Sequence, residues 1–176
     1  MREIVLTDEH YSMFGRIIFG YAAAESGFKI LLSAMLKMDV GVFMAVSAPY
    51  QSRDLKDVVK SIAKLSEFEH EDEYDKIIDL VGRFQGFSHI RNEIAHCRWT
   101  EGVRGDSIKP ISVKVGKGKV VAKGFDDGER DYTNQELIDL ANGIFKLNND
   151  LRRFIVDYGY AEIIEEKMQE SSTADK

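Results

Sequence analysis

The sequence predicts a mostly α fold: a bundle of four to five helices with a β-hairpin inserted before the last long helix. Three observations carry that expectation. Apolar residues recur every three or four positions through long segments, the pattern of helices that bury one face. Between residues 111 and 122 the period drops to two around the turn Gly116-Lys117-Gly118-Lys119. Thr133, with Glu136 three residues on, then makes a capping box that restarts a helix.

Residues 8 to 38 read as the first helix, capped by Thr7 or Asp8, with Phe14, Ile18, Tyr21, Phe28, Leu32 and Met35 as its apolar stripe. The run Gly41 to Ala48 is compatible with helix or strand and ends at Pro49. Ser52 caps a second helix over about 53–66, with Leu55, Val58, Val59, Ile62 and Leu65 inward. A third helix runs from about Glu71 to His96. One inner row holds Ile77, Val81 and Phe84, and a second holds Leu80, Phe84, Phe87 and Ile94. The hairpin joins residues 111–115 to 120–122, and its alternation leaves one apolar face to lie on the bundle. The last long helix turns Leu137, Leu140, Ile144, Leu147, Leu151, Phe154, Ile155 and Tyr158 inward and ends at Gly159. Residues 161 to 170 form a further short helix. A single domain over 1–170 follows, with 171–176 expected to be a disordered tail that has nothing to bury.

A chain of 176 residues with 44% hydrophobic and 31% charged residues suits one globular domain. The single cysteine, Cys97, excludes an internal disulfide and suits a reducing, cytoplasmic setting. Met1-Arg2-Glu3-Ile4 does not read as a secretion signal. Charges interrupt the apolar region 13–48, so no membrane span is expected. The net charge of −6 disfavours a general nucleic-acid coat protein, but the charge is uneven. Residues 67–79 hold seven acids against Lys76. Residues 104–123 hold six bases, among them Lys109, Lys114, Lys117 and Lys119, against Asp106. That basic stretch suits either a phosphate-facing edge or a solvated hairpin whose lysines discourage edge pairing.

Two charges interrupt core-facing rows. Glu25 lies in the middle of the first helix's stripe, and Arg91 completes the row Leu80, Phe84, Phe87, Ile94 on the third. A lone buried charge is costly, so a pairing of Glu25 with Arg91 across the helix interface is expected, the alternative being that one of them snorkels to water. Asn92 and His96 stand four residues apart and share a helix face. Arg91 and His96, five apart, are about 140° apart around an ideal helix. They meet at one ligand only if the helix ends near His96, the long arginine arm reaches around, or a second subunit supplies one of them.

The string Arg91-Asn92-Glu93-Ile94-Ala95-His96, an Arg-x4-6-His spacing at the end of an amphipathic helix followed by Cys97-Arg98-Trp99, resembles the HEPN superfamily. The likeness in organisation covers about residues 8–158, and the sharp motif is confined to 91–99. The resemblance implies a small helical bundle, commonly a homodimer, from toxin–antitoxin, phage-defence or RNA-processing systems, with an antitoxin as a further partner. It implies metal-independent, cofactor-free RNA cleavage by attack of the ribose 2′-hydroxyl on the adjacent phosphate. In that chemistry His96 moves a proton, since imidazole is the side chain that titrates nearest neutrality. Arg91 clamps the phosphate, Asn92 orients His96 or the phosphate, and Glu25 supports Arg91. RNA supplies its own nucleophile, so no action on DNA is expected. The alternative is a non-catalytic HEPN-like RNA-binding or protein-interaction module, because a helix C-terminus favours histidine whatever it does.

Other features read as structural. Gly116-Lys117-Gly118-Lys119 lacks phosphate-loop spacing and leads into a strand. His70 belongs to a solvated acidic helix start, and His10 and His89 have no ligand-spaced partners. Trp99 anchors the hairpin or stacks on a base, and residues 126–128 form a loop. A small-molecule-binding bundle would need a deep pocket that no feature here requires.

Overall fold

The first helix, α1 (Asp8–Met35), begins where Thr7 accepts the backbone N–H of His10, and the His10 ring in turn accepts the Thr7 N–H at 3.1 Å. This is a capping box with an imidazole where a Glu or Gln side chain usually stands. It is followed by α2 (Val40–Val46), α3 (Ser52–Leu65), α4 (Glu73–His96), β1 (Arg98–Glu101), β2 (Ser107–Gly116), β3 (Lys119–Lys123), β4 (Tyr132–Thr133), α5 (Asn134–Asp157) and α6 (Tyr160–Ala174). The computed structural model describes residues 6–50, 52–116, 119–123 and 131–174. The mostly α fold with strands before the last long helix is therefore present, with six helices among the described residues. The ambiguous run before Pro49 is the short helix α2.

Helices α1 and α5 run side by side in the same direction. Asn134 reaches Glu9 at 3.3 Å, Arg16 reaches Asn142 at 3.1 Å, and Asn148 donates to the Gly20 carbonyl at 2.9 Å. Bare backbone makes this approach possible, since a Cβ at Gly20 would stand 2.5 Å from Ile144 Cγ2. The larger core gathers Tyr21, Phe28, Leu31, Leu55, Val59, Ile77, Phe84, Leu147 and Phe154 from α1, α3, α4 and α5. A smaller core of Phe14, Ile17, Ile90, Ile108, Leu137 and Ile144 lies where the strands meet α1, α4 and α5. Phe87 packs against both. Among the stripe residues, Ile17 rather than Ile18 is fully buried, and Leu65 is exposed. By length and hydropathy alone α1 would pass as a membrane span, because its charges are few within one 18-residue window, a test that the core helix of a globular protein also passes. Here it is the central core helix, burying Phe14, Ile17, Tyr21, Phe28 and Leu31.

The hairpin is part of a larger sheet. β2 pairs antiparallel with β3 from Ser112↔Lys123 to Gly116↔Lys119, as the alternation indicated. Its first half also pairs with β1, Arg98↔Ile111 to Glu101↔Ile108, and with β4 through Ser107↔Thr133 and Ile108↔Tyr132. These two partners are too short to show alternation. Ile108 carries the sheet into the smaller core. Lys117 and residues 126–128 lie outside the described residues, as do the side chains that would form the hairpin's apolar face beyond Ser112.

Thr133 and Glu136 form the expected capping box, and Glu136 also takes two bonds from Arg104, at 2.9 and 2.7 Å. Arg104, with the Thr133 N–H adding to it, pulls the Glu136 carboxyl down to about 2. A carboxyl depressed by folding stabilises above its unfolded pKa near 4.5 and loses that contribution as the pH falls toward 2. Glu136→Gln is therefore expected to flatten the acid limb of a stability–pH curve between about pH 5 and 2, while thermal unfolding at neutral pH shows a small loss.

Gly159, at φ +73°, turns the chain from α5 into α6. At this corner Tyr158 donates to Asp72 at 2.9 Å, and the Tyr160 hydroxyl donates to Glu73 inside the core. The acidic start of α4 is thus partly consumed by two tyrosines. Burial, and then the Glu73 carboxylate, push the Tyr160 hydroxyl well above its ordinary range. Tyr160→Phe leaves a buried carboxylate without this donor and should lose about 1–3 kcal/mol in urea unfolding. The tail expected from Ser171 is helical through Ala174, because α6 continues and the Ser171 hydroxyl donates to Asp39 at 2.9 Å.

Candidate functional site

The site is the C-terminal third of α4, where that helix leaves the larger core and hands over to β1. His96 is the last residue of α4, and Cys97 caps it through its N–H to the Glu93 carbonyl at 2.9 Å. His96 is exposed and makes no side-chain hydrogen bond among the described residues, and Asn92, one turn earlier, is exposed as well. The Arg91 guanidinium donates to Asn92 Oδ1 at 3.0 Å. The bond ties the arginine to the strip that Asn92 shares with His96. Asn92 thus orients Arg91, where His96 or a phosphate was the expected partner.

Glu25 and Arg91 form no ion pair. Both act on Tyr21. Its ring is buried, stacked on Phe84 at 4.5 Å between centroids, and the Arg91 guanidinium carbon lies 5.9 Å from the Tyr21 centroid. Burial is the largest influence raising the Tyr21 hydroxyl's pKa, and Glu25 adds to it. A bond with Ser52 and the Arg91 charge pull the other way. Glu25 instead accepts the Ser52 hydroxyl at 2.8 Å and lies 3.4 Å from Lys29 Nζ. Ser52 is therefore the first residue of α3 and a donor to α1 rather than a cap. Glu25 and Arg91 thus act in opposite directions on one phenol.

The neighbouring turn of α4 holds a group that sequence reasoning set aside. His89 Nε2 lies 3.3 Å from Glu93 Oε1, and Tyr132 from β4 donates to Glu93 Oε2 at 2.7 Å. The Glu93 side chain is 7% exposed and that of His89 52%. The spacing of four residues was visible, but the bond from Tyr132 on β4 was not.

Of the candidate RNA-binding lysines, Lys109 is half-buried on β2 opposite Thr100, and Lys114 and Lys119 occupy strand positions in the β2–β3 ladder. Arg104 is engaged by Glu136 and by the Asp131 carbonyl. Trp99 packs on Phe14 at 4.8 Å and on Tyr132 at 5.8 Å, as an anchor of the sheet. No three His, Cys, Asp or Glu side chains gather as potential metal ligands among the described residues. An open hollow between α3 and α4, lined by Lys60, Lys64, Tyr74 and Ile78, lies at the far end of α4. No protein family, curated protein or solved structure matches the chain.

Proposed function

We propose that this protein is a metal-independent endoribonuclease of HEPN type, acting as a homodimer in a cytoplasmic toxin–antitoxin or phage-defence setting. The observation that carries the reading is the state of the motif's polar groups. His96 is exposed and makes no side-chain hydrogen bond among the described residues, and the Arg91 guanidinium donates to Asn92 rather than to a carboxylate. A purely structural motif would bury and mutually satisfy these groups.

The guanidinium grips a non-bridging phosphate oxygen and stabilises the charge that develops on the pentacovalent phosphorus. His96 moves a proton between the reacting oxygens and solvent. The attacking 2′-oxygen displaces the 5′-oxygen of the next nucleotide, leaving a 2′,3′-cyclic phosphate and a free 5′-hydroxyl. DNA lacks the nucleophile and is left intact. Purified wild-type protein incubated with mixed RNA in EDTA should produce cyclic-phosphate ends. Intact RNA under those conditions, with binding retained, would instead favour the non-catalytic RNA-binding module.

A further inference from the structure

We infer that His89, oriented by Glu93 and Tyr132, is the general base of this reaction, which leaves His96 as the general acid. The inference rests on the RNA-cleavage reading above and completes its proton inventory. Transesterification needs one proton removed from the 2′-hydroxyl and one delivered to the departing 5′-oxygen, and a single imidazole does both only by moving between them.

His89 and His96 are seven residues apart on α4, so they share one face two turns apart, about 10 Å along the axis. Asn92 lies between them, and Asn92 is the residue that holds the Arg91 guanidinium. A phosphodiester clamped there has one imidazole on each side. The two histidines are both exposed, but they are not equivalent. His89 Nε2 faces a buried carboxylate whose second oxygen is occupied by the Tyr132 hydroxyl. A fixed carboxylate behind an imidazole selects its tautomer and stabilises the imidazolium that forms when it takes a proton. With the Nε2 proton directed at Glu93, Nδ1 presents its lone pair to the ribose hydroxyl. His96 has no such support among the described residues, which suits the partner that gives its proton away.

In balanced form, the 2′-hydroxyl proton passes to His89 Nδ1 as the O2′–P bond forms. The P–O5′ bond breaks, its electron pair stays on O5′, and protonated His96 supplies the proton. Exchange with water resets both rings. Glu93 and Tyr132 are positioning residues that touch no substrate.

A substrate with sulfur in place of the bridging 5′-oxygen tests this directly, because a thiolate leaves without protonation. Wild type, His96→Ala, His89→Ala and Tyr132→Phe are compared on the oxygen and sulfur substrates. On oxygen, both histidine variants should lose about 10²–10⁴-fold in kcat and Tyr132→Phe about tenfold. On sulfur, His96→Ala should recover toward the wild-type rate while His89→Ala and Tyr132→Phe keep their deficits. A histidine variant that loses its fold would show it in circular dichroism, and His89→Asn, on an exposed position, then replaces alanine. Wild-type cleavage that survives in His89→Ala overturns the assignment but leaves the endoribonuclease reading intact. Recovery of His89→Ala on sulfur likewise overturns it. Intact RNA with wild type overturns both.

Discussion

Alanine at Arg91 or at His96 is expected to slow RNA cleavage by about 10²–10⁴-fold each, with the fold unchanged. The fold survives because neither side chain is buried in the core. His96 is exposed at the end of α4, and the half-buried Arg91 lies over the Tyr21 ring while bonding to the exposed Asn92. The two losses should differ in kind. Arg91→Ala removes the phosphate grip and raises KM as well as lowering kcat, whereas His96→Ala acts mainly on kcat. Mixing the two inactive variants discriminates between a site inside one protomer and one shared by two. The Arg91–Asn92 bond places the guanidinium on its own protomer's His96 strip, so the mixture should stay inactive. In a symmetric dimer with shared sites, half the random pairs would regain one intact site, returning about a quarter of wild-type activity. That recovery would overturn the single-protomer arrangement.

The parts of this fold that depend on local spacing were legible in the sequence. Thr7 and the Thr133–Glu136 box begin helices because a cap needs only the next three residues. The switch to period two around residues 111–122 marked a strand pair, and β2 and β3 pair there. What was not legible depends on groups far apart in the chain. Ile17 and Ile18 are equivalent by composition, and only the placement of α4 and α5 against α1 decides that Ile17 is buried. The interrupting charges Glu25 and Arg91 were visible as anomalies, but the phenol on which both act belonged to the same apolar stripe and gave no sign of a polar role. Glu93 stood inside the motif without a role. It is buried, and its donor Tyr132 is thirty-nine residues away, on a two-residue strand that no alternation could reveal.

Asp131→Ala is the substitution expected to destabilise the molecule most, by about 3 kcal/mol, lowering the melting temperature by roughly 6–12 °C. One buried carboxylate oxygen closes the whole connection between β1 and β2. Asp131 Oδ2 accepts the backbone N–H groups of Val103 and Arg104, the latter at 3.0 Å, and the Ser107 hydroxyl at 3.1 Å. Burial pushes the carboxyl's pKa up, but the Arg104 and Val103 N–H groups, the Ser107 hydroxyl and the Lys109 charge outweigh it and hold it below the usual range. Its stabilisation is accordingly complete above the unfolded carboxyl's pKa and fades as the pH drops through the lower folded value. The loop has no slack to re-form around alanine, since Gly102 passes so close that a Cβ there would stand 2.0 Å from Ser107 Oγ. Asn at 131 keeps one acceptor oxygen but a weaker, uncharged one, so Asp131→Asn should fall between wild type and alanine. The damage should spread to the site from both ends. β1 starts two residues after His96, and Tyr132, the donor to Glu93, is the immediate neighbour of Asp131. Hydrogen exchange in Asp131→Ala should therefore quicken in β1 and the first half of β2 while the amides of α1 and α5 in the larger core stay protected. An unchanged melting temperature together with unchanged exchange in β1 would show that the clasp does not hold this corner.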